Sequence, residues 1–133
     1  MGSDTGITVP RRNTTEGIDP LDQIKWVKRS CSMLAEDGDS GSDEIEVPEH
    51  WSSLATDIFA SKYFKGAKSI NDGRGERSVR AVVERVVDTL SEQGVRQGYF
   101  KDGAERAFRD ELAHLLVDQQ AAFNSPVWFN CGQ

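Results

Sequence analysis

Val79, Val82, Val83, Val86, Val87 and Leu90 recur at three- and four-residue spacing. On a helix that spacing puts all six on one face. Arg80, Glu84, Arg85 and Asp88 fall mostly off it. Valine is a mediocre helix former, so a helix with five of them must draw its stability from packing on a neighbour. The stripe therefore demands other amphipathic elements and sets the expected class, mainly α. Gly94 and Gly98 are expected to end the helix.

Two neighbours are legible. Asp102 with Glu105 three residues on has the spacing of a capping box. The helix it would open has Ala104, Ala107, Phe108, Leu112, Leu115 and Leu116 as its expected buried face. Upstream, Trp51, Leu54, Ala55, Ile58 and Phe59 also follow helical spacing, with Pro48 suited to a first helical turn. The glycine-rich "KGAKSINDGRGERS" separates that helix from the valine helix. Leu21, Ile24, Trp26 and Val27 suit one short helix or an extended piece laid on a surface.

The remainder is polar. Residues 1–19 have almost no apolar pattern and read as a flexible arm. Residues 20–122 form the expected helical domain, with a mobile acidic loop at 35–46. Asp37, Asp39 and Asp43 in that loop suggest calcium, but Ser42 stands at the sharp-turn glycine position and Pro48 at that of the bidentate Glu. That spacing fails, leaving a solvated loop.

The 133 residues allow one ordinary domain with a modest core. A formal charge of -6 gives no basic footprint for direct DNA binding. No apolar run reaches the length of a membrane span, and the N-terminus has no signal core. Cys31 and Cys131 lack a CxxC or Cys/His companion, which suggests a reduced, cytoplasmic setting rather than a disulfide framework or zinc site. No metal-ligand spacing or phosphate loop is present, and no catalytic residue is assigned. His50 and His114 read as surface or capping residues. Cys131 reads as a small buried hydrophobe.

The last segment, "AAFNSPVWFNCGQ", is different. Pro126 fixes its own φ and biases Ser125 toward an extended conformation, so Asn-Ser-Pro predicts a turn. Val127, Trp128 and Phe129 then read as a short buried strand, ended by Asn130 and Gly132. So apolar a strand needs cover on both faces, as in parallel sheets and barrels. Three helices cover one side. The pattern asks for further strands.

"AFNSPVWFNCG", preceded by "KYFKG", "RVVDTLSEQG", "GYF" and "DELAHLLVDQQ", closely resembles the start of the adenosylcobalamin-dependent (class II) ribonucleotide reductases. The similarity spans about residues 18–133. It implies an N-terminal helical region leading into the first strand of a ten-stranded α/β barrel, with residues 123–133 as that first barrel segment. The implied activity is reduction of ribonucleoside di- or triphosphates for DNA synthesis. Adenosylcobalamin homolysis gives a thiyl radical on a barrel cysteine, and a second cysteine pair supplies the reducing equivalents. The resemblance puts those cysteines and the cobalamin contacts outside this chain, and Cys131 does not match a redox cysteine.

One functional position carries over from the resemblance. Ser125 matches a turn residue that touches the bound nucleotide, with Asn124 and Pro126 as its supports. A hydroxyl and an amide at a Pro-fixed turn suit phosphate or ribose oxygens. The implied partners are the ribonucleotide, the rest of the reductase polypeptide and a second copy of the full enzyme. The expectation is a reductase fragment, inactive and sticky alone because Phe123, Val127, Trp128 and Phe129 lack cover. The alternative is a helical binding module or split-enzyme subunit docking through the aromatic C-terminal segment.

Overall fold

The computed structural model describes residues 6–30, 44–63, 78–123, 127–128 and 131–132. A 3-10 turn, Pro20–Gln23, leads into strand β1 (Trp26–Ser30), which pairs antiparallel with β2 (Glu44–Pro48). Helices α1 (Ser53–Tyr63), α2 (Val79–Arg96) and α3 (Ala104–Val117) follow. The described residues divide into two compact units. One comprises 6–23, 83–123 and Gly132; the other comprises 24–30, 44–63, 78–82, 127–128 and Cys131.

The hairpin pair corrects two expectations. Of the helix-or-extended alternatives for 21–34, the extended one holds at Trp26–Ser30. Glu44, Ile45 and Glu46, expected in the acidic loop, lie in β2. The alternation Glu-Ile-Glu-Val explains this, because period-2 spacing puts Ile45 and Val47 on one buried face. Val27 opposes Val47, and on the other face Lys28 opposes Glu46, a favourable cross-strand charge pair. Residues 31–43, including the calcium-like aspartates and Cys31, lie outside the described residues, as do 64–77.

Pro48 closes β2 rather than opening a helix, and α1 begins five residues later. Its cap is Ser52, whose Oγ accepts from the N–H of Ala55 at 3.0 Å. The expected apolar stripe is only partly inward. Trp51, before the helix, and Phe59 are buried, whereas Leu54 is 69% and Ile58 45% exposed. Thr56 takes an inward position, its hydroxyl donating to Ser52 O at 2.8 Å. That back-bond satisfies a buried hydroxyl locally.

The valine stripe is as expected, with Val79, Val82, Val83, Val86 and Val87 all fully buried, although Leu90 at its end is only half-buried. Ser78 caps it through its Oγ, which also donates to Glu46 Oε1 at 2.6 Å. Gly94 does not end α2. It lies within the helix, where an added Cβ would come within 2.2 Å of the Phe100 ring. Gly98 does end it, in the left-handed region at φ 72°. Its N–H bonds Val95 O and that of Tyr99 bonds Gly94 O, the paired bonds of a Schellman stop.

The capping box at Asp102 does not form. α3 starts at Ala104 after Gly103 (φ 84°), with no side-chain cap. The left-handed glycine turns the chain there, and the N–H of Ala104 bonds Lys101 O. The buried face also differs. Ala104, Ala107 and Leu116 are buried, but Phe108, Leu112 and Leu115 are only half-buried. Arg109, Asp110 and Glu111 take inward positions instead. Finally, Val127 and Trp128 are helical, not a strand, and the N–H of Cys131 bonds Val127 O at 3.0 Å, a helical i to i+4 bond.

Candidate functional site

Asn124, Ser125 and Pro126, expected to form a turn, lie outside the described residues, as do Phe129 and Asn130. Their flanks do not. Trp128 is 3% exposed and packs edge-on to Phe59, with centroids 5.3 Å apart at 71°. Phe59 meets Trp51 in the same way, at 5.4 Å and 70°. Edge-to-face geometry suits the ring quadrupoles and adds to the burial of area. Trp128 thus has its cover within this chain, which corrects the expectation that it needs a missing sheet. A helical turn explains the change: it satisfies the backbone without strand neighbours.

Gly132, beyond the turn, has φ 83° and lies against α2. A Cβ there would fall 2.7 Å from both Arg85 Cγ and Thr89 Oγ1. Only a residue without a side chain fits that approach. Cys131 is half-buried and forms no disulfide among the described residues.

A second constellation was not legible in the sequence. Arg109, 6% exposed, donates from Nη1 to Asp19 Oδ1 at 2.8 Å and to Asp110 Oδ1 at 3.2 Å, and from Nε to Asp88 Oδ1 at 2.9 Å. Asp110, fully buried, also pairs with Arg11 at 3.0 Å and Arg106 at 3.1 Å. Glu111 accepts from the Asn13 N–H and side chain and from the Thr14 hydroxyl. Residues 6–19, read as a flexible arm, therefore make specific contacts with α3, and Ile7 adds a bridge to Phe100.

The electrostatics follow the partners. Burial alone would lower the Arg109 pKa, but its hydrogen bonds and charge pairing with Asp19 and Asp88 outweigh this and raise it. Burial raises the Asp19 carboxyl, yet the Arg109 hydrogen bond, the Leu21 N–H and the charges of Arg109 and Arg106 leave it lowered. Burial likewise raises Glu111, while Thr14, the backbone N–H groups of Asn13 and Arg12, and the Asn13 side chain bring it below the usual range. Fully paired charges of this kind position a chain rather than perform chemistry. The one available signal was positional: Asp110 and Glu111 occupy the stripe set by Ala104, Ala107, Ala113 and Val117, where apolar residues are expected.

His50 is exposed and His114 half-buried in the last turn of α3. No group of three His, Cys, Asp or Glu able to hold a metal occurs among the described residues. No described helix is long and apolar enough to cross a membrane. A cavity of about 470 Å³ is lined by Ile7, Leu90, Gln93, Tyr99, Phe100 and Phe108.

Similarity to known proteins runs along most of the chain. A family model described as class II vitamin B12-dependent ribonucleotide reductase matches residues 27–119. The vitamin B12-dependent ribonucleotide reductase of Rhodopirellula baltica is 44% identical over 122 residues, covering 88% of this chain and 11% of its own length. That of Streptomyces coelicolor is 38% identical over 131 residues, covering 96% of this chain and 13% of its own. The Streptomyces avermitilis protein of the same name is 37% identical over the same length. This chain thus spans only 11% to 13% of those relatives.

Proposed function

Because the chain belongs to the class II vitamin B12-dependent ribonucleotide reductase family, we propose that it serves as the N-terminal portion of such an enzyme. In this reading the complete reductase makes deoxyribonucleotides from ribonucleoside di- or triphosphates, using adenosylcobalamin to start a thiyl-radical reaction. The observation that carries it is the match over 27–119, which includes the valine helix and α3. A ten-stranded barrel, supplied by further polypeptide, would house the chemistry, and the full enzyme would act as a homodimer in the cytoplasm.

The cavity beside Phe100 and Phe108 does not fit cobalamin. The 470 Å³ cavity has the size of a drug-like ligand's pocket, which a corrin with its nucleotide tail exceeds. Its lining also lacks a His. In this reading Ser125, supported by Asn124 and Pro126, contacts the substrate nucleotide, three residues before the buried Trp128. The alternative, a binding module docking through the aromatic C-terminal segment, would have to use residues other than the buried Trp128.

The test adds the remaining reductase polypeptide in trans. Cobalamin-dependent reduction is expected only in the mixture, and Ser125→Ala is expected to raise KM for the nucleotide. Reduction by this chain alone would overturn the fragment reading. Unchanged nucleotide affinity in Ser125→Ala would remove the assigned contact.

A further inference from the structure

No side chain from residue 6 to residue 19 is buried, and Ile7 and Ile18 are 58% and 43% exposed. Yet this stretch is fixed at several points along its length. Ile7 exchanges backbone bonds of 2.8 Å with Tyr99 and Lys101. Arg11 reaches Asp110, Asn13 and Thr14 reach Glu111, and Asp19 reaches Arg109. Apolar burial gives cooperativity with the core, whereas hydrogen bonds at a surface open locally. A segment held almost wholly by polar contacts is separable from the fold beneath it.

Glu111 makes the separation specific. The hydrogen bonds it accepts among the described residues come from residues 12–14. Arg109 and Asp110, by contrast, keep each other and have partners on α2 and α3, namely Asp88 and Arg106. The charged groups of the joint are Arg11, Arg12 and Asp19 from the segment, Asp88 from α2, and Arg106, Arg109 and Asp110 from α3. Asp22, on the 3-10 turn packed against α3, is exposed.

We infer that residues 6–19 form a strap that lets go of α3 as a unit, with α2 and α3 still folded, when Glu111 and Asp19 take up protons. The direction follows from chemistry. Ionised Glu111 accepts from several donors of residues 12–14 at once; protonation turns one of its oxygens into a donor and weakens its capacity to accept from them. Asp19 loses its charge opposite Arg109 at the same time. Both carboxyls lie below their ordinary range in the folded chain. Such groups stabilise above their unfolded pKa, and that contribution disappears as pH falls through the folded value. The strap is closed at neutral pH and opens in acid.

Amide hydrogen exchange on the intact chain, corrected for intrinsic rates, tests this from about pH 7 to about pH 3, across the carboxylate range. The amides of Ile7, Arg12 and Asn13, which bond Tyr99 O and Glu111, are expected to lose protection at least tenfold while α2 amides keep theirs, with Asn13 the direct reporter on Glu111. Glu111→Gln is expected to loosen the strap at neutral pH and flatten its pH response. Loss of strap and α2 protection together at one pH would overturn the inference, as would wild-type strap behaviour in Glu111→Gln. If that variant unfolds, seen as lost α2 protection, Thr14→Val probes the joint from the strap. Faster strap exchange with α2 intact supports the inference, and unchanged exchange refutes it.

Discussion

The aromatic cluster Trp51–Phe59–Trp128 and the ionic joint on α3 are both buried, yet they hold the chain by opposite means. The cluster is three rings in edge-to-face contact, with no charge to satisfy. Its stability grows with apolar area and tolerates small errors of placement. The joint is Arg109, Asp110 and Glu111 held in a lattice of partners drawn from several parts of the chain. Its members cost free energy unless each one is paired. The cluster therefore supplies stability, whereas the joint supplies one specific arrangement of residues 11–19.

That contrast can be broken by substitution. Phe59→Ala removes the middle ring and is expected to cost about 3–5 kcal/mol, as large aromatic deletions in cores do. A urea melt would measure the cost, and Trp emission would shift to the red as Trp51 and Trp128 lose their shared neighbour. A cost below that of a surface substitution would mean the cluster is not a core. Asp110→Asn tests the other side. It keeps size but removes the charge facing Arg11, Arg106 and Arg109. The expected loss is about 2–3 kcal/mol, because hydrogen bonds to charged groups weigh more than neutral ones while Arg109 retains Asp19 and Asp88. Salt should narrow this loss only slightly, since buried pairs are poorly screened.

The same contrast explains what the sequence made legible. Apolar periodicity revealed the valine helix, because all five valines answer to one face. It also picked out Trp51, Phe59 and Trp128 as buried, though not that Trp128 would be helical or that Phe59 would cover it. The strand reading of 127–129 assumed that a run of apolar residues must be extended, and a run that short does not distinguish the two. The joint stayed hidden for a different reason. Charged side chains read as solvated unless their partners are known, and Asp110 finds Arg11 at a separation of 99 residues. Ser125, the site residue drawn from family likeness, lies outside the described residues together with its supports Asn124 and Pro126.

The mildest test concerns the helix stops before and after α3. α2 ends on Gly98, and α3 ends with the same pair of bonds around Gln119: its N–H to Leu116 O at 3.2 Å, and that of Gln120 to Leu115 O at 2.9 Å. Gln119 stands at φ 60°, where a side chain crowds the following carbonyl. It is exposed, so its side chain gains little in return. Gln119→Gly should therefore stabilise the chain by about 1 kcal/mol, read as a higher urea midpoint with an unchanged slope. The substitution touches no member of the joint, so strap exchange at neutral pH should stay the same. If the strap tightened with the helix end, α3 itself would be the weak element, and the joint's charges would be reporting its fraying rather than setting the arrangement.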